Sequence, residues 1–446
     1  MDYIFEPGKN IPVCDDVDLF VAGGSCTGVF AAVRAARLGL KVVLVERQNC
    51  LGGMATSAMV NVWHSLKDID YKNQIIAGLT YEVTTILEKS GAALIKDDPS
   101  LGIQFDPLRL MYELDRLVIE NKVKVYLHTL CVDGIYDNNE ISAAIIENKD
   151  GRSAVKAKFF IDATGDGDLA KRLNCPIYQN DSLMPPTPCF ILYGPIDKVD
   201  LSTLVEKHGA EFNLEDDFGW SSILPGFNSN FTLQASHHIL NTDCSKALDL
   251  TLIETEGRRK IYALIDLLNK YSGEKFIVTA LPSLSGLRES NHFETEYKVK
   301  GLDLLHGARH DDAVLNGTYR VDMHEKNGDV TFMYLDGVAY TMSGSRREGN
   351  TWNWREKEGL LGECAKYYQA PFKMLVQKKY RNFIAAGRML NADKMGFGAL
   401  RVMVNLNQLG EASGVAAYLA INSNKAVYEL DGTLVRKELN KGGSCL

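Results

Sequence analysis

The 446-residue chain has no C-x-x-C pair among its nine cysteines, which stand at 14, 26, 50, 131, 175, 189, 244, 364 and 445. Iron–sulfur clusters and most structural zinc sites use that spacing, so its absence sets both aside. An odd, scattered set of thiols fits a reducing compartment better than a disulfide framework. Basic runs are missing too, and the formal net charge is −8. This argues against nucleic acid or an anionic membrane as a main partner. The longest apolar stretches are too short or too broken by Arg, Lys and Asn to span a bilayer. Residues 1–18 carry several acids and no continuous apolar run. They do not read as a signal peptide, and a cytoplasmic location is expected. There is no internal repeat and no low-complexity tract. What is left is ordinary globular composition, with 46% hydrophobic and 24% charged residues, in a chain long enough for two domains.

Val17-Asp18-Leu19-Phe20-Val21-Ala22 predicts a strand leading into Gly23-Gly24-Ser25-Cys26-Thr27-Gly28. A small-residue helix follows, with Ala32 and Ala36 on the Gly28 face and Ala31, Ala35 and Gly39 beside it. Residues 41–45 read as a second strand covered on both faces, ending on Glu46. This is the layout of a dinucleotide-binding βαβ unit. Gly23 permits the tight turn, and Gly28 lets the helix lie close to the strand. The amides at the helix start face a pyrophosphate. Glu46 is placed to accept hydrogen bonds from both ribose hydroxyls. Ser25 stands where the usual fingerprint has its middle glycine, and its hydroxyl is positioned to bond a phosphate oxygen. Cys26 and Cys50 flank the cofactor loops and read as small apolar filler.

Leu51-Gly52-Gly53-Met54-Ala55-Thr56-Ser57 suits a loop passing along the cofactor. A helix is expected over 72–90, and another after Asp106-Pro107, with Leu110, Leu114, Leu117 and Val118 on one face. A strand is expected over 123–129. Residues 131–160 alternate, broken by Asp137-Asn138-Asn139 and Asp150-Gly151, which predicts an antiparallel meander. It runs into Asp162-Ala163-Thr164-Gly165-Asp166-Gly167-Asp168. There Gly165 lets a loop close over the dinucleotide, and Asp166 or Asp168 caps the next helix. Pro176, Pro185, Pro186 and Pro188 mark a domain crossing. Beyond it, a helix carrying Leu248, Leu252, Ile253, Ile261, Leu264, Ile265 and Leu268 is the clearest element of a substrate domain. Cofactor-like sequence returns at 382–388, a strand ending on Gly387. Met395-Gly396-Phe397-Gly398 reads as a glycine-rich loop before a long helix from about 401 to 421. Gly410, Ser413, Gly414, Ala417 and Ala420 give that helix a small-residue face for packing on the first domain. The expected class is α/β: a Rossmann-like nucleotide-binding domain with an inserted antiparallel meander, plus a mixed α+β substrate domain. The expected division is 1–175 and 366–446 for the first and 176–365 for the second.

Together these segments resemble the FAD-dependent oxidoreductase family whose members are often labelled xanthan lyase. That family is related to the flavin domain of heterodisulfide reductase and, more distantly, to glutathione reductase-like and fumarate reductase-like flavoproteins. The likeness covers nearly the whole chain. It rests on residues 21–28 with Glu46-Arg47 and 51–56, and on 162–168. It rests also on Gly286-Leu287-Arg288-Glu289 with 319–324, and on Ala386-Gly387-Arg388, 400–403 and 410–417. The resemblance implies non-covalent FAD held by a domain built from both ends of the chain. The first loop supplies Gly23, Gly24, Ser25, Thr27 and Gly28, and the second strand supplies Glu46 and Arg47. Gly52, Gly53, Met54, Ala55 and Thr56 lie along the pyrophosphate and flavin. Cys131, Ala163, Thr164, Gly165 and Asp168 close the other side, with Gly387 and Arg388. Arg401, Val402 and Met403 approach the pyrimidine edge. Many relatives carry Arg where this chain has Asn291. The iron–sulfur cysteines of the heterodisulfide reductase flavoprotein are missing, which argues against an electron-bifurcating complex of that type.

A flavin carries the redox chemistry itself, so no catalytic triad is needed. Arg401 is the candidate cation for stabilising a reduced flavin, with a structural ion pair as the other reading. Arg288 is the candidate for orienting a substrate carboxylate, and His324 for moving a proton. Both also have plain structural readings. His237-His238 and His306 with His310 have ligand-like spacing but no third ligand at a defined distance, so no metal is expected. The leading function is an FAD-dependent oxidoreductase acting on a small molecule with an unknown acceptor. A flavoprotein with isomerase, group-transfer or RNA-modifying chemistry is the alternative, as is an NAD-dependent dehydrogenase without flavin.

Overall fold

The computed structural model describes residues 2–215, 217, 219–343 and 349–446. Strand β1 (Val13–Ala22) ends in four fully buried residues and leads through the glycine turn into helix α1 (Cys26–Arg37) and β2 (Val42–Val45). Helix α2 (Gly78–Lys89) starts later than its sequence suggests. Asp68 holds the preceding loop by accepting from Lys72 N at 2.9 Å and from Asn73 Nδ2 at 2.6 Å, so residues 72–77 stay non-helical. Helix α3 (Pro107–Glu120) is capped as expected: Asp106 accepts from Leu108 N at 2.9 Å, with Pro107 in the first turn. Strand β3 (Lys124–Tyr126) is shorter than the expected 123–129. The meander follows as β4 (Leu130–Asp137), β5 (Glu140–Asn148) and β6 (Gly151–Asp162), turning at Asn138 (φ 51°) and Gly151 (φ 99°).

Among the described residues, the middle of the chain builds two four-stranded antiparallel sheets. The first comprises β7 (Cys189–Tyr193), β8 (Ser221–Ile223), β9 (Phe231–Ala235) and, after helix α4 (Ala247–Tyr271), β10 (Ile277–Ala280). Its order is β8-β9-β7-β10. Helix α4 packs on it through Ile261, Leu264, Ile265 and Leu268. Leu248 and Leu252, expected on the buried face, are exposed; burial along α4 begins only at Ile253. The second sheet is a meander of β11 (Val321–His324), β12 (Val330–Met333), β13 (Val338–Met342) and β14 (Thr351–Asn353).

The last segment returns to the start of the chain. Strand β15 (Phe383–Ala385) pairs in parallel with the end of β6, while β5 pairs with the beginning of β6. The main sheet therefore runs β3-β2-β1-β6-β5-β4, with β15 beside the second half of β6. Its strands β3, β2, β1, β6 and β15 are parallel. Residues 395–398 form no loop; they lie within helix α5 (Lys394–Leu400), capped by Asp393, which accepts from Gly396 N at 2.7 Å. The glycines are there for contact. A Cβ on Gly396 would lie 2.8 Å from Val299 O, and one on Gly398 would lie 2.8 Å from Asp322 O.

Helix α6 (Met403–Ser423) begins after a break at Arg401 and Val402 and crosses α1 closely. A Cβ on Gly410 would lie 2.2 Å from Thr27 O, and one on Gly414 would lie 2.4 Å from Ala31 O. The small-residue face is thus the condition for the contact. The buried pair Arg34–Glu411 ties the same two helices, and Glu411 also accepts from Leu79 N in the first turn of α2 at 2.9 Å. Among the described residues no helix is long and apolar enough to cross a membrane.

Candidate functional site

A cavity of ≈ 1910 Å³ runs from the β1–α1 turn to the two antiparallel sheets. Typical single-ligand pockets hold about 300–1,000 Å³, so this one has room for more than one ligand.

Its first end is made largely of backbone. Gly23 turns at φ +97°, and a Cβ there would lie 2.6 Å from Ala163 O. A Cβ on Gly28 would lie 1.9 Å from Gly23 O. The Ser25 hydroxyl accepts from Gly28 N at 3.4 Å and donates to Ala163 O at 3.2 Å. It is therefore an N-cap and a tie to β6, not the open phosphate donor its position suggests. Glu46 accepts from Gly24 N at 2.6 Å and from Gln48 N at 2.8 Å. Each oxygen keeps a second acceptor direction, and Glu46 lines the cavity.

The loop after β2 lies on the first loop, with Gly52 N donating to Gly24 O at 2.8 Å. Gly52, Gly53 and Met54 line the cavity, as do Ser25, Thr27, Arg47 and Cys131. Four expected contacts do not. Gly24 and Gly28 act through the turn behind the wall, Ala55 is fully buried, and Thr56 Oγ1 is turned back to Leu51 O at 2.6 Å.

The end of β6 is organised by one buried acid. Asp162 accepts from Thr164 N at 3.0 Å, Thr164 Oγ1 at 2.7 Å and Ala170 N at 2.9 Å. Burial raises its pKa despite these donors. Ala163, Thr164, Gly165 and Asp168 face the cavity. Neither Asp166 nor Asp168 is the helix cap. Gly167 takes that position at φ +71°, and Thr164 Oγ1 accepts from Asp168 N at 3.1 Å. Asp166 turns instead to Arg388, to Ser290 Oγ at 2.7 Å and to Arg47 at 3.9 Å, while Asn291 Nδ2 donates to its carbonyl at 3.0 Å. It locks Gly387 and Arg388, both at the cavity, to the end of β6.

The second end is made of charged side chains. Along β11, residues 322 and 324 share one face because side chains alternate. Asp322 meets Arg401 Nη2 at 2.9 Å, Tyr319 OH at 2.6 Å and His324 Nε2 at 3.0 Å. Burial alone would raise its pKa, but His324 and Arg401 hold it well below the usual carboxylate range. Burial, reinforced by the charge of Arg288, pushes His324 down to about 3. At neutral pH the pair is an ionised Asp322 beside a neutral imidazole. Arg401 is thus ion-paired and still lines the cavity, beside Val402 and Met403.

Arg288 lines the same wall and donates from Nη1 to Pro185 O at 2.7 Å and to Thr187 Oγ1 at 2.5 Å. His238 is held through Nδ1, 2.8 Å from both Asp217 oxygens, with its ring 4.9 Å from that of His324. Burial lowers its pKa as well. Its Nε2 has no hydrogen-bond partner among the described residues. His306 lies elsewhere, 2.8 Å from Glu358. Among the described residues no three His, Cys, Asp or Glu side chains group as a metal site would require.

Sequence reasoning brought Arg288, His324 and Arg401 forward but missed Asp322, Asp217, His238 as a site residue, and the bridge at Asp166. The block 319–324 was the available signal for Asp322. Nothing in the spacing links Asp217 or Asp166 to its partners.

A family model described as FAD dependent oxidoreductase matches residues 18–439. A dihydrolipoyl dehydrogenase of Trypanosoma brucei brucei is 27% identical over 171 residues, which are 36% of this chain and 32% of that enzyme. The chain thus matches only about a third of that relative's length. Among solved structures, a geranylgeranyl bacteriochlorophyll reductase-like protein of Thermoplasma acidophilum aligns at 14% identity and a TM-score of 0.47, covering 96% of this chain and 83% of that one. A flavoprotein/dehydrogenase of Cytophaga hutchinsonii aligns at 12% identity and a TM-score of 0.42, covering 95% and 83%.

Proposed function

This chain belongs to the FAD-dependent oxidoreductase family, and we propose that it moves hydride or electrons between a small-molecule substrate, held at the charged end of the cavity, and a separate acceptor. The observation that carries this reading is the continuity of one cavity. Glu46, Thr164 and Gly387 line it at one end, and Arg288, His324 and Arg401 at the other.

The residues present fit FAD. Gly23, Gly52 and Gly53 hold positive φ where side chains would crowd the turn, so backbone is left to meet a pyrophosphate. The first turn of α1 adds amides and a helix dipole suited to its charge. In this reading Glu46 takes the ribose hydroxyls with its remaining acceptor directions. Met54, Cys131, Ala163, Gly165 and Asp168 flank the bound cofactor. When bound, FAD supplies the two-electron chemistry.

The chain's own residues supply orientation, charge and hydrogen bonding. Arg401, steadied by Asp322, and the start of α6 at Val402 and Met403 place positive potential on the cavity wall. Arg288 and His324 handle the substrate, the first by charge and the second as a neutral imidazole that accepts a hydrogen bond from a substrate O–H or N–H. The kinship with the flavin domain of heterodisulfide reductase belongs to the same reading.

Absorbance of the purified protein is the test. Flavin bands, about one releasable FAD per chain and anaerobic bleaching by a metabolite pool are the expected results. A colourless protein that FAD does not reconstitute would overturn the reading. A yellow protein that no metabolite pool reduces or reoxidises would favour non-redox chemistry.

A further inference from the structure

We infer that the charged end of the cavity is a receptor for a substrate carboxylate, with Arg288 as its counter-charge. This rests on the reading of the cavity as a substrate site. Arg288 uses Nη1 for two neutral oxygens, Pro185 O and Thr187 Oγ1. Its Nε and Nη2 make no hydrogen bond among the described residues, and no described carboxylate forms an ion pair with it. That leaves the side-on edge of the guanidinium, the edge that meets a carboxylate with two parallel hydrogen bonds. Drawing a cation partly out of water without an ion-pair partner is costly, and the group shows it. Burial, then the nearby charge of Arg401, pulls its pKa down to about 10.

The described charges nearest Arg288 are those of Arg401, Asp322 and Asp217. Asp322 is engaged by Arg401, Tyr319 and His324, and Asp217 by His238. Both imidazoles are neutral at pH 7. Arg320 is also without a described carboxylate: it donates to Ser100 Oγ at 2.6 Å and lies over the Phe332 ring at 4.2 Å. One open planar fork beside the ionised Asp217 and Asp322 suits a singly charged, planar carboxylate better than a phosphate of nearly two charges. His238 and His324 stand beside it as hydrogen-bond acceptors, so the carboxylate's neighbour is a donor such as a hydroxyl or amine.

The test uses the FAD-loaded protein, R288Q and R288K, titrated at constant ionic strength with glycolate, lactate, malonate, benzoate and inorganic phosphate. The readouts are flavin absorbance and the thermal midpoint, with FAD content measured on each sample. At least one carboxylate binds the wild type saturably, at least tenfold weaker in R288Q and to an intermediate extent in R288K, which keeps the charge but loses the fork. The exposed variant R258Q binds as the wild type does. No saturable carboxylate binding, equal binding by R288Q, or tighter binding of phosphate would each overturn the inference. Absence of FAD from every preparation would instead overturn the flavin reading, and the thermal titration of the same samples would still decide this one.

Discussion

The two ends of the cavity are built on different principles. The nucleotide end is shaped by backbone: Gly23, Gly28, Gly52 and Gly53 make room, and Glu46 pins the loops through the amides of Gly24 and Gln48. The charged end is shaped by side chains from well-separated segments, meeting at Asp322, Asp217 and Arg288. The first depends on where a Cβ is forbidden, with Glu46 and Ser25 tying the loops. The second depends on ion pairs and hydrogen bonds between side chains. Ser25 illustrates the first rule. It stands in the place of a glycine of the fingerprint, and its hydroxyl finds Gly28 N and Ala163 O.

The contrast is broken most severely by Gly28→Val. Its Cβ would strike Gly23 O, so α1 and β1 must part, and flavin-loaded protein is expected to vanish on absorbance. Asp322→Asn attacks the other end and leaves the partly buried Arg401 without its carboxylate. A loss of about 3–5 kcal/mol is expected in urea unfolding at pH 7. Because the Asp322 pKa is lowered in the folded state, its contribution is present above the unfolded value and fades as the pH falls through the folded one. A wild-type-like unfolding midpoint in this variant would remove Asp322 from the centre of the charged end.

Glu46→Ala is milder, with FAD retention weakened by about 1–3 kcal/mol as charged hydrogen bonds are lost. Unchanged occupancy on dialysis would detach Glu46 from the nucleotide. His324→Gln changes the pH response. The histidine pKa falls on folding, to about 3, so the unfolded chain takes up a proton first and stability falls as the pH drops from about 6.5 towards 3. The variant is expected to lose less stability than the wild type between pH 7 and pH 5; an equal loss would show that His324 is not held neutral. Smallest of all is Ser25→Gly, expected to shift stability by a few tenths of a kcal/mol and to keep its flavin. Loss of flavin there would mean that the nucleotide end needs the Ser25 hydroxyl as well as the Glu46 carboxylate.

Much of the nucleotide end was legible because its determinants are local. A strand, a glycine turn, a small-residue helix and a second strand sit within about thirty consecutive residues, each with its own periodicity. The capping of α3 by Asp106 and the turns of the meander were legible for the same reason. The misread places are those where a residue answers to a distant neighbour. Gly396 and Gly398 look like a loop, yet they are helical glycines cut to fit Val299 and Asp322. Asp166 looks like a helix cap, yet it serves Arg388 and Ser290. Leu248 and Leu252 continue the apolar stripe of α4 beyond the part of the helix that is buried.

The chain alone determined the βαβ unit, the meander and the small-residue face of α6, because backbone preference and apolar periodicity act between near neighbours. Folding alone decided that β15 would sit beside β6, that Asp322 would gather Arg401, Tyr319 and His324, and that Arg288 would be left without a carboxylate among the described residues. Charge balance is a property of positions in space. Residues far apart in sequence acquire it only when the sheets bring them within a few ångströms in a medium too dry to screen them.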